Sequence, residues 1–276
     1  MHFELLDILL VVIGLFAGTF GTLIGAGGGF ILMPILILLW PDKNREIITS
    51  VSLAVVFVNA FSGTTAYLKM KRVDIKSGLI FAAATIPGAI IGAHTTQYVP
   101  KQTFDLIFGC LMIFVSIFLF LRSSKIGQKI VNVPNGVSRH IVESDGTVHL
   151  FSFRMEIGIV ASLFIGYISS FFGIGGGIIH VPVLVGLLNF PVHIATATSH
   201  FTLAVSALTG TIEHIIEGTL DTVIWQTVFI SAGVFVGAKI GAKLSKKVHG
   251  SFIIRGAAIA IGIVGIRIIF NDFIKM

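Results

Sequence analysis

Apolar runs recur along almost the whole chain, at 5–24, 46–68, 77–98, 102–121, 155–172, 194–216, 222–242 and 251–270. A helix of about 20 such residues, rising about 1.5 Å each, crosses a hydrocarbon core of about 30 Å. Two shorter apolar pieces, 30–40 and 177–189, follow the first and fifth runs and are too short for a comfortable span. Glycines separate each piece from its predecessor, in GTLIGAGGGFILMP over 21–34 and SFFGIGGGIIHVP over 170–182. Glycine strongly weakens a helix interior and permits sharp turns. The pattern therefore predicts two helical hairpins, each reversing at its glycines.

The two glycine clusters belong to a longer internal match. A shift of 148 places Gly25 to Gly29 on Gly173 to Gly177 and Pro34 on Pro182. A shift of 147 places Ile47, Thr49 and Ser52 on Ile194, Thr196 and Ser199, Gly63 on Gly210, and Asp74 on Asp221. Shared Leu and Ile positions arise easily between apolar helices, but shared Gly, Pro and Asp in order do not. The chain reads as a duplication, 1–121 and 155–276, joined by a polar linker at 122–154. Within that linker RHIVESDGTVHLFSF alternates apolar and polar residues about Asp145-Gly146, which predicts a β-hairpin at the membrane surface.

Composition supports a bilayer as solvent: only 12% of residues are charged, against about 25% in a soluble domain. The first run opens with Glu4 and Asp7 and no Lys or Arg, unlike a cleaved signal peptide. One cysteine, Cys110, excludes an intrachain disulfide and reads as a small residue packed in a helix. The formal charge of +6 sits in short loops, which points to membrane orientation and away from nucleic acid.

Those loops also decide the topology. If the short pieces are ignored and the N-terminus is inside, basic residues divide 11 inside to 8 outside. If each glycine pair is a hairpin that returns to the face it entered, the division becomes 14 to 5. The excess of Lys and Arg on cytoplasmic loops favours the second arrangement. A hairpin plus three spans is an odd number of crossings, so the second half is inverted relative to the first. The fold expected is an all-α integral membrane protein of two inverted repeats in the cell membrane. Inverted repeats with broken helices are a plan of secondary transporters.

The chemistry expected follows from the breaks. A helix start leaves backbone N–H groups free and carries the positive dipole end, which suits an anion. Gly27, Gly28 and Gly29, opposed to Gly175, Gly176 and Gly177, would then frame a small anion. The glycines could equally serve close helix packing. Uncharged donors nearby are Ser52 and Asn59 in the first half and Thr198, Ser199 and Ser206 in the second, in IATATSHFTLAVSALTG. Such hydroxyls also bond within helix bundles. His180 and His200 lie in apolar stretches and are candidates for proton linkage, His200 ahead of His180, or are simply buried neutral histidines. The spans lack the acidic pairs of a sodium or calcium site, and no cofactor or metal is expected.

At GAGGGFILMP, GIGGGIIHVP and ATATSHFTLAVSALTG the chain resembles the sulfite exporter TauE/SafE family of membrane permeases. The resemblance implies transport of sulfite, sulfoacetate, thiosulfate or related sulfur-containing anions. The halves differ where Thr198, Ser199 and His200 are matched by Val51, Ser52 and Leu53. With no ATP-binding motif, transport is either proton-coupled or passive. Two rivals are an intramembrane enzyme with His180 or His200 as base, and a membrane assembly factor that moves no anion. Serine-directed labelling discriminates the first, reconstitution in liposomes the second. Substrate, direction and oligomeric state lie beyond the sequence.

The charge count places both termini and the 213–221 loop outside, and 69–76, 122–154 and 243–250 in the cytoplasm. In a Cys110→Ser background, single cysteines near positions 217 and 246 should label from opposite sides. Labelling from one side would overturn the inverted arrangement.

Overall fold

A computed structural model describes residues 5–122, 133–134, 136–245, 259 and 262–270. Helices run α1 Leu5–Ile24, α2 Gly29–Leu39, α3 Arg45–Lys69, α4 Ile75–Thr96 and α5 Lys101–Arg122. After the strands β1 Val137–Val142 and β2 Val148–Phe153 come α6 Met155–Phe172, α7 Gly177–Gly186 and α8 Val192–Ile216. A single 3-10 turn, Asp221–Val223, leads into α9 Ile224–Leu244. Residues 262–270 are helical, and most of the rest of the expected 251–270 span lies outside the described residues. The chain is an all-α multi-pass membrane protein, with one two-stranded sheet among the described residues. Five of its described helical segments, Leu5–Ile24, Arg45–Lys69, Ile75–Thr96, Met155–Phe172 and Asp221–Leu244, are long and apolar enough to cross a membrane.

Helix α3 is the centre of the bundle: 78% of its most apolar window is buried, against 33% for α1. It packs along α8, while α1 packs along α9 and α4 along α6. Burial explains the composition of the two central helices. α3 buries Thr49, Ser50, Ser52, Asn59 and Ser62, and α8 buries Thr196, Thr198, Ser199, His200 and Ser206. Polar side chains are tolerable there because protein, not lipid, surrounds them. The outer helices instead present Leu9, Val12 and Phe16 on α1, Ile90 and Ile91 on α4, and Val228 and Val236 on α9. Cys110 corrects its expected place: it is on α5, but exposed rather than packed inward. An apolar thiol facing lipid has no need of a protein partner.

Close backbone approach joins the outer pairs. A side-chain carbon on Gly88 or Gly92 would strike the carbonyl oxygens of Leu163 and Tyr167, and on Gly233 or Gly237 those of Val11 and Leu15. Small residues let membrane helices touch in this way. Corresponding residues also have corresponding neighbours. Gly25 meets Thr196 and Gly173 meets Thr49; Gly63 meets His200 and Gly210 meets Leu53. These neighbours exchange under the shifts of 147 and 148.

Helices α3 and α8 run antiparallel, since Glu46 lies beside His214 and Glu217 while Tyr67 lies against His200. One end of the bundle gathers Pro41, Arg45, His94, Lys101, Asp105 and Glu217. The other gathers residues 70–77 and the β-hairpin, with Phe190 beside Phe151 and Phe153. The loops grouped at each end are those that the charge count assigns to one side.

The hairpin pairs Val137 with Phe153 through Val142 with Val148, turning at Gly146 with φ 88°. Thr147 N–H donates to Asp145 Oδ1 at 3.0 Å, which holds that carboxyl below its usual range. A lone hairpin is marginal in water, and this one is fastened to the helices. Arg72 Nε donates to Glu143 Oε2 at 2.5 Å, and Arg139 Nε to Asp74 Oδ2 at 3.2 Å. Asp74 also caps α4, accepting from Ser77 N–H at 3.2 Å. Phe151 and Phe153 bury themselves against Phe190 and Phe81.

At the opposite end Arg45 grips Asp105 through two bonds of 2.6 Å, both side chains under 5% exposed. Replacing Asp105 with Leu leaves a buried unpaired guanidinium and should cost about 3–5 kcal/mol. The double change Arg45→Leu with Asp105→Leu should recover most of that loss. Denaturation of the detergent-purified variants measures both, and an additive double variant would refute the coupling.

Candidate functional site

Both glycine clusters make the predicted reversal. Helix α6 ends on Gly173 at φ 65°, and α7 starts from Gly176 at φ 61°. In the first half Gly25, Gly27 and Gly28 have φ 84°, 77° and 78°. L side chains avoid this left-handed region, which accounts for glycine at these positions. All ten residues of the two turns, 25–29 and 173–177, are buried.

The turns press directly on one another. A side-chain carbon on Gly29 would sit 2.6 Å from the Ile174 carbonyl oxygen, and on Gly177 2.6 Å from that of Gly25. Val56 of α3 and Leu203 of α8 flank Gly27 and Gly175 from both sides. The line between Gly27–Gly29 and Gly175–Gly177 is thus closed by backbone and aliphatic carbon. Ser52 and Ser199 hold this contact: Ser52 Oγ donates to Gly173 O at 2.5 Å, and Ser199 Oγ to Gly25 O at 3.4 Å. Each hydroxyl comes from one half and serves the turn of the other.

The remaining polar groups divide between the turns. Beside the first, Asn59 Nδ2 lies 3.3 Å from where a side-chain carbon on Gly28 would be, and it has no hydrogen-bond partner. Its Oδ1 accepts from Thr22 Oγ1 at 2.8 Å, and His200 Nε2 lies 3.3 Å from the same hydroxyl. With the Thr22 proton given to Asn59, His200 Nε2 is the donor and Nδ1, which has no partner, keeps a lone pair. Tyr67 closes the cluster, its OH donating to Thr22 O at 2.8 Å and its ring edge-on to His200 at 5.6 Å.

Beside the second turn is a cavity about the size of one water molecule. Gly175, Gly176, Gly177, His180 and Ser206 line it, with Ser169, Thr202 and Thr85. The Oγ atoms of Ser169 and Ser206 are buried without a hydrogen-bond partner. Thr85 and Thr202 donate to backbone carbonyls of their own helices. His180 meets the ring of Phe81 edge-on at 6.1 Å, and so borders the aromatic cluster under the β-hairpin.

Of the expected site residues, then, the structure brings Gly175–Gly177, His180 and Ser206 to one cavity, and Gly28, Asn59 and His200 to a second cluster. Thr198 joins neither: its Oγ1 accepts from Asp74 N–H at 3.0 Å, tying α8 to the start of α4. Sequence reasoning missed Ser169, Thr22 and Tyr67. Ser169 and Thr22 lie within four residues of a glycine cluster, one turn back on the preceding helix, a position that could have marked them.

Positive φ changes what alanine does at the turns. Gly28→Ala should cost about 1–2 kcal/mol for φ alone, and more because Ala17 O stands 2.7 Å from the added carbon. Gly176→Ala, whose nearest neighbours at 2.9 Å are side chains of Ile165 and Ser169, should cost less. Melting temperatures of the two variants test this order.

A model of the sulfite exporter TauE/SafE family matches residues 10–268. A probable membrane transporter protein of Bacillus subtilis, YunE, is 33% identical over 270 residues, covering 96% of this chain and 97% of that protein. Another from Methanocaldococcus jannaschii is 24% identical over 261 residues, covering 90% and 89% of the two chains. One from Xylella fastidiosa is 28% identical over 229 residues, covering 83% and 81%. No solved structure matches.

Proposed function

The chain belongs to the sulfite exporter TauE/SafE family, and we propose that it is a permease for a small sulfur-containing anion, built as two inverted repeats. The observation that carries the reading is the cavity at the start of α7. Two buried hydroxyls, Ser169 and Ser206, have no acceptor within the protein and lie beside a helix start formed by Gly176 and Gly177. Buried polar groups normally find a partner, and an oxyanion accepts from such hydroxyls while meeting the positive end of the helix.

The cavity as it stands has room for one water and not for a sulfite. Admission of substrate therefore requires the start of α7 to part from α4, α6 and α8. The antiparallel α3 and α8 and the exchange of neighbours under the shifts of 147 and 148 support two inverted halves that rock about the paired turns. The sulfur class of substrate rests on the family description. His180, in the cavity wall, is the better-placed group for proton linkage on this reading, ahead of His200, which faces the first turn.

Hydroxyls without a structural partner give a clean test. Ser206→Ala and Ser169→Ala should leave the melting temperature within about 1 °C or raise it, since no protein bond is lost. If each donates to a bound anion, affinity should fall about tenfold or more, because a hydrogen bond to a charged group is worth about 1.5–3 kcal/mol. Thermal shifts with sulfite, thiosulfate and sulfoacetate against chloride, followed by flux in liposomes, provide the readout. Wild-type affinity in both variants would place the anion elsewhere.

A further inference from the structure

At the end of the bundle assigned to the outside, three helices bring together side chains that the transport reading leaves unused. His214, in the last turn of α8, is fully buried, and neither ring nitrogen has a hydrogen-bond partner. Its Nδ1 lies 3.3 Å from Glu217 Oε2, which also lacks a hydrogen-bond partner. Glu46, in the first turn of α3, completes a trio whose ligand atoms lie within 4.8 Å of one another. The other oxygen of Glu217 is held in place: Oε1 lies 3.1 Å from His94 Nδ1 and accepts from Gln97 Nε2 at 3.1 Å. Glu213 stands behind, 3.7 Å from His94 Nδ1.

A buried imidazole with two unused nitrogens is expensive as a packing element. Three carboxylates, Glu46, Glu213 and Glu217, share this corner, and the segment 213–221 supplies no Lys or Arg to balance them. Arg45, next to Glu46 in the chain, is committed to Asp105. A dication would relieve both defects, giving the carboxylates a counter-charge and the imidazole a bond.

We propose that Glu46, His214 and Glu217 form a binding site for a divalent transition metal of the zinc class. Mixed imidazole and carboxylate donors suit zinc better than magnesium or calcium, which favour oxygen alone. Zinc bonds of about 2.0–2.2 Å set tetrahedral ligand–ligand edges of roughly 3.3–3.6 Å. The separation of His214 Nδ1 and Glu217 Oε2, 3.3 Å, already has that length. A fourth position is left to water. His94 and Gln97 orient the Glu217 carboxylate rather than ligate, as partners behind a metal ligand commonly do. An ion here would tie α3 and α4 of the first half to α8 of the second.

Detergent-purified full-length protein is titrated with zinc chloride, and with magnesium and calcium chloride, by calorimetry and thermal shift. Zinc should bind one to one at micromolar concentration and raise the melting temperature, reversibly with EDTA. Glu46→Gln and Glu217→Gln, which keep side-chain shape, should each weaken binding at least tenfold, as should His214→Asn. His94→Ala should weaken it less, and His140→Ala, on the exposed face of the hairpin, should not change it. Zinc affinity unchanged in Glu46→Gln, or equal binding of magnesium, overturns the site. Loss in His94→Ala with retention in Glu46→Gln overturns the ligand set, moving the ion to His94, Glu213 and Glu217.

Discussion

Two stretches of unwound backbone buried among apolar helices impose the constraint from which the other features follow. Lipid offers no hydrogen bonds, so non-helical peptide groups at membrane depth survive only within protein or beside water. Here each turn is buried by the central helices α3 and α8 and, at Gly29 and Gly177, directly by the other turn. The Gly29 and Gly177 backbones approach the carbonyls of Ile174 and Gly25 too closely for any side chain. Ser52 and Ser199 then supply donors across the divide, each to a glycine carbonyl of the opposite turn. Neither half could bury its own break alone, which makes the halves obligate partners. It also explains why α3 and α8, which carry the donors, are both the most polar of the long helices and the ones placed innermost.

That economy sets the limit of what a sequence reader can recover. The helices over seven of the eight apolar runs, the two reversals at glycine and the hairpin about Asp145-Gly146 were legible, because each rests on local pattern: apolar length, helix breakers, alternation. The roles of the hydroxyls were not. A serine that donates to a backbone carbonyl and one that awaits a ligand look alike in sequence. Ser52 and Ser206 differ only in what stands opposite, and that is a tertiary fact. Thr198 was drawn toward the site by its neighbours in the chain, yet its Oγ1 accepts from Asp74 N–H at the start of α4. Tyr67 was invisible for the converse reason, sitting far from either motif and reaching Thr22 only because the end of α3 packs beside the end of α1.

The linker acquires a structural reason. Its hairpin does not hang free: Phe151 and Phe153 enter an aromatic cluster with Phe81 and Phe190, and Phe81 touches His180 in the cavity wall. Arg72 with Glu143 and Arg139 with Asp74 hold the strands to the loop between α3 and α4. Arg72–Glu143 is buried and Arg139 only partly so, which leaves the first as the firmer attachment. Any parting of α7 from α4 must therefore disturb the packing beneath the hairpin. The hairpin is mechanically continuous with the cavity, although none of the linker's described residues lines it.

The asymmetry between the halves bears most directly on how such a protein works. The two halves share a frame: glycines, flanking Val56 and Leu203, and the crossed serines all correspond under the shifts of 147 and 148. The chemistry diverged around that frame. Where the second half has His180, the first has Leu32 under the shift of 148; where it has His200, the first has Leu53 under 147. Ser206 corresponds to Asn59, and Ser169 to Gly21. The result is a water-sized cavity with free hydroxyls at the second turn and a closed network of Thr22, Asn59, His200 and Tyr67 at the first. In that network each group but the Asn59 amide and His200 Nδ1 is already bonded. Each turn keeps two buried polar groups without a partner, Asn59 Nδ2 and His200 Nδ1 at the first and the Ser169 and Ser206 hydroxyls at the second, so the water-sized space, and not unmet bonding, is what distinguishes the second turn. On the permease reading proposed above, the paired turns together are the pivot and the second turn, with its water-sized cavity, is the one that admits a ligand.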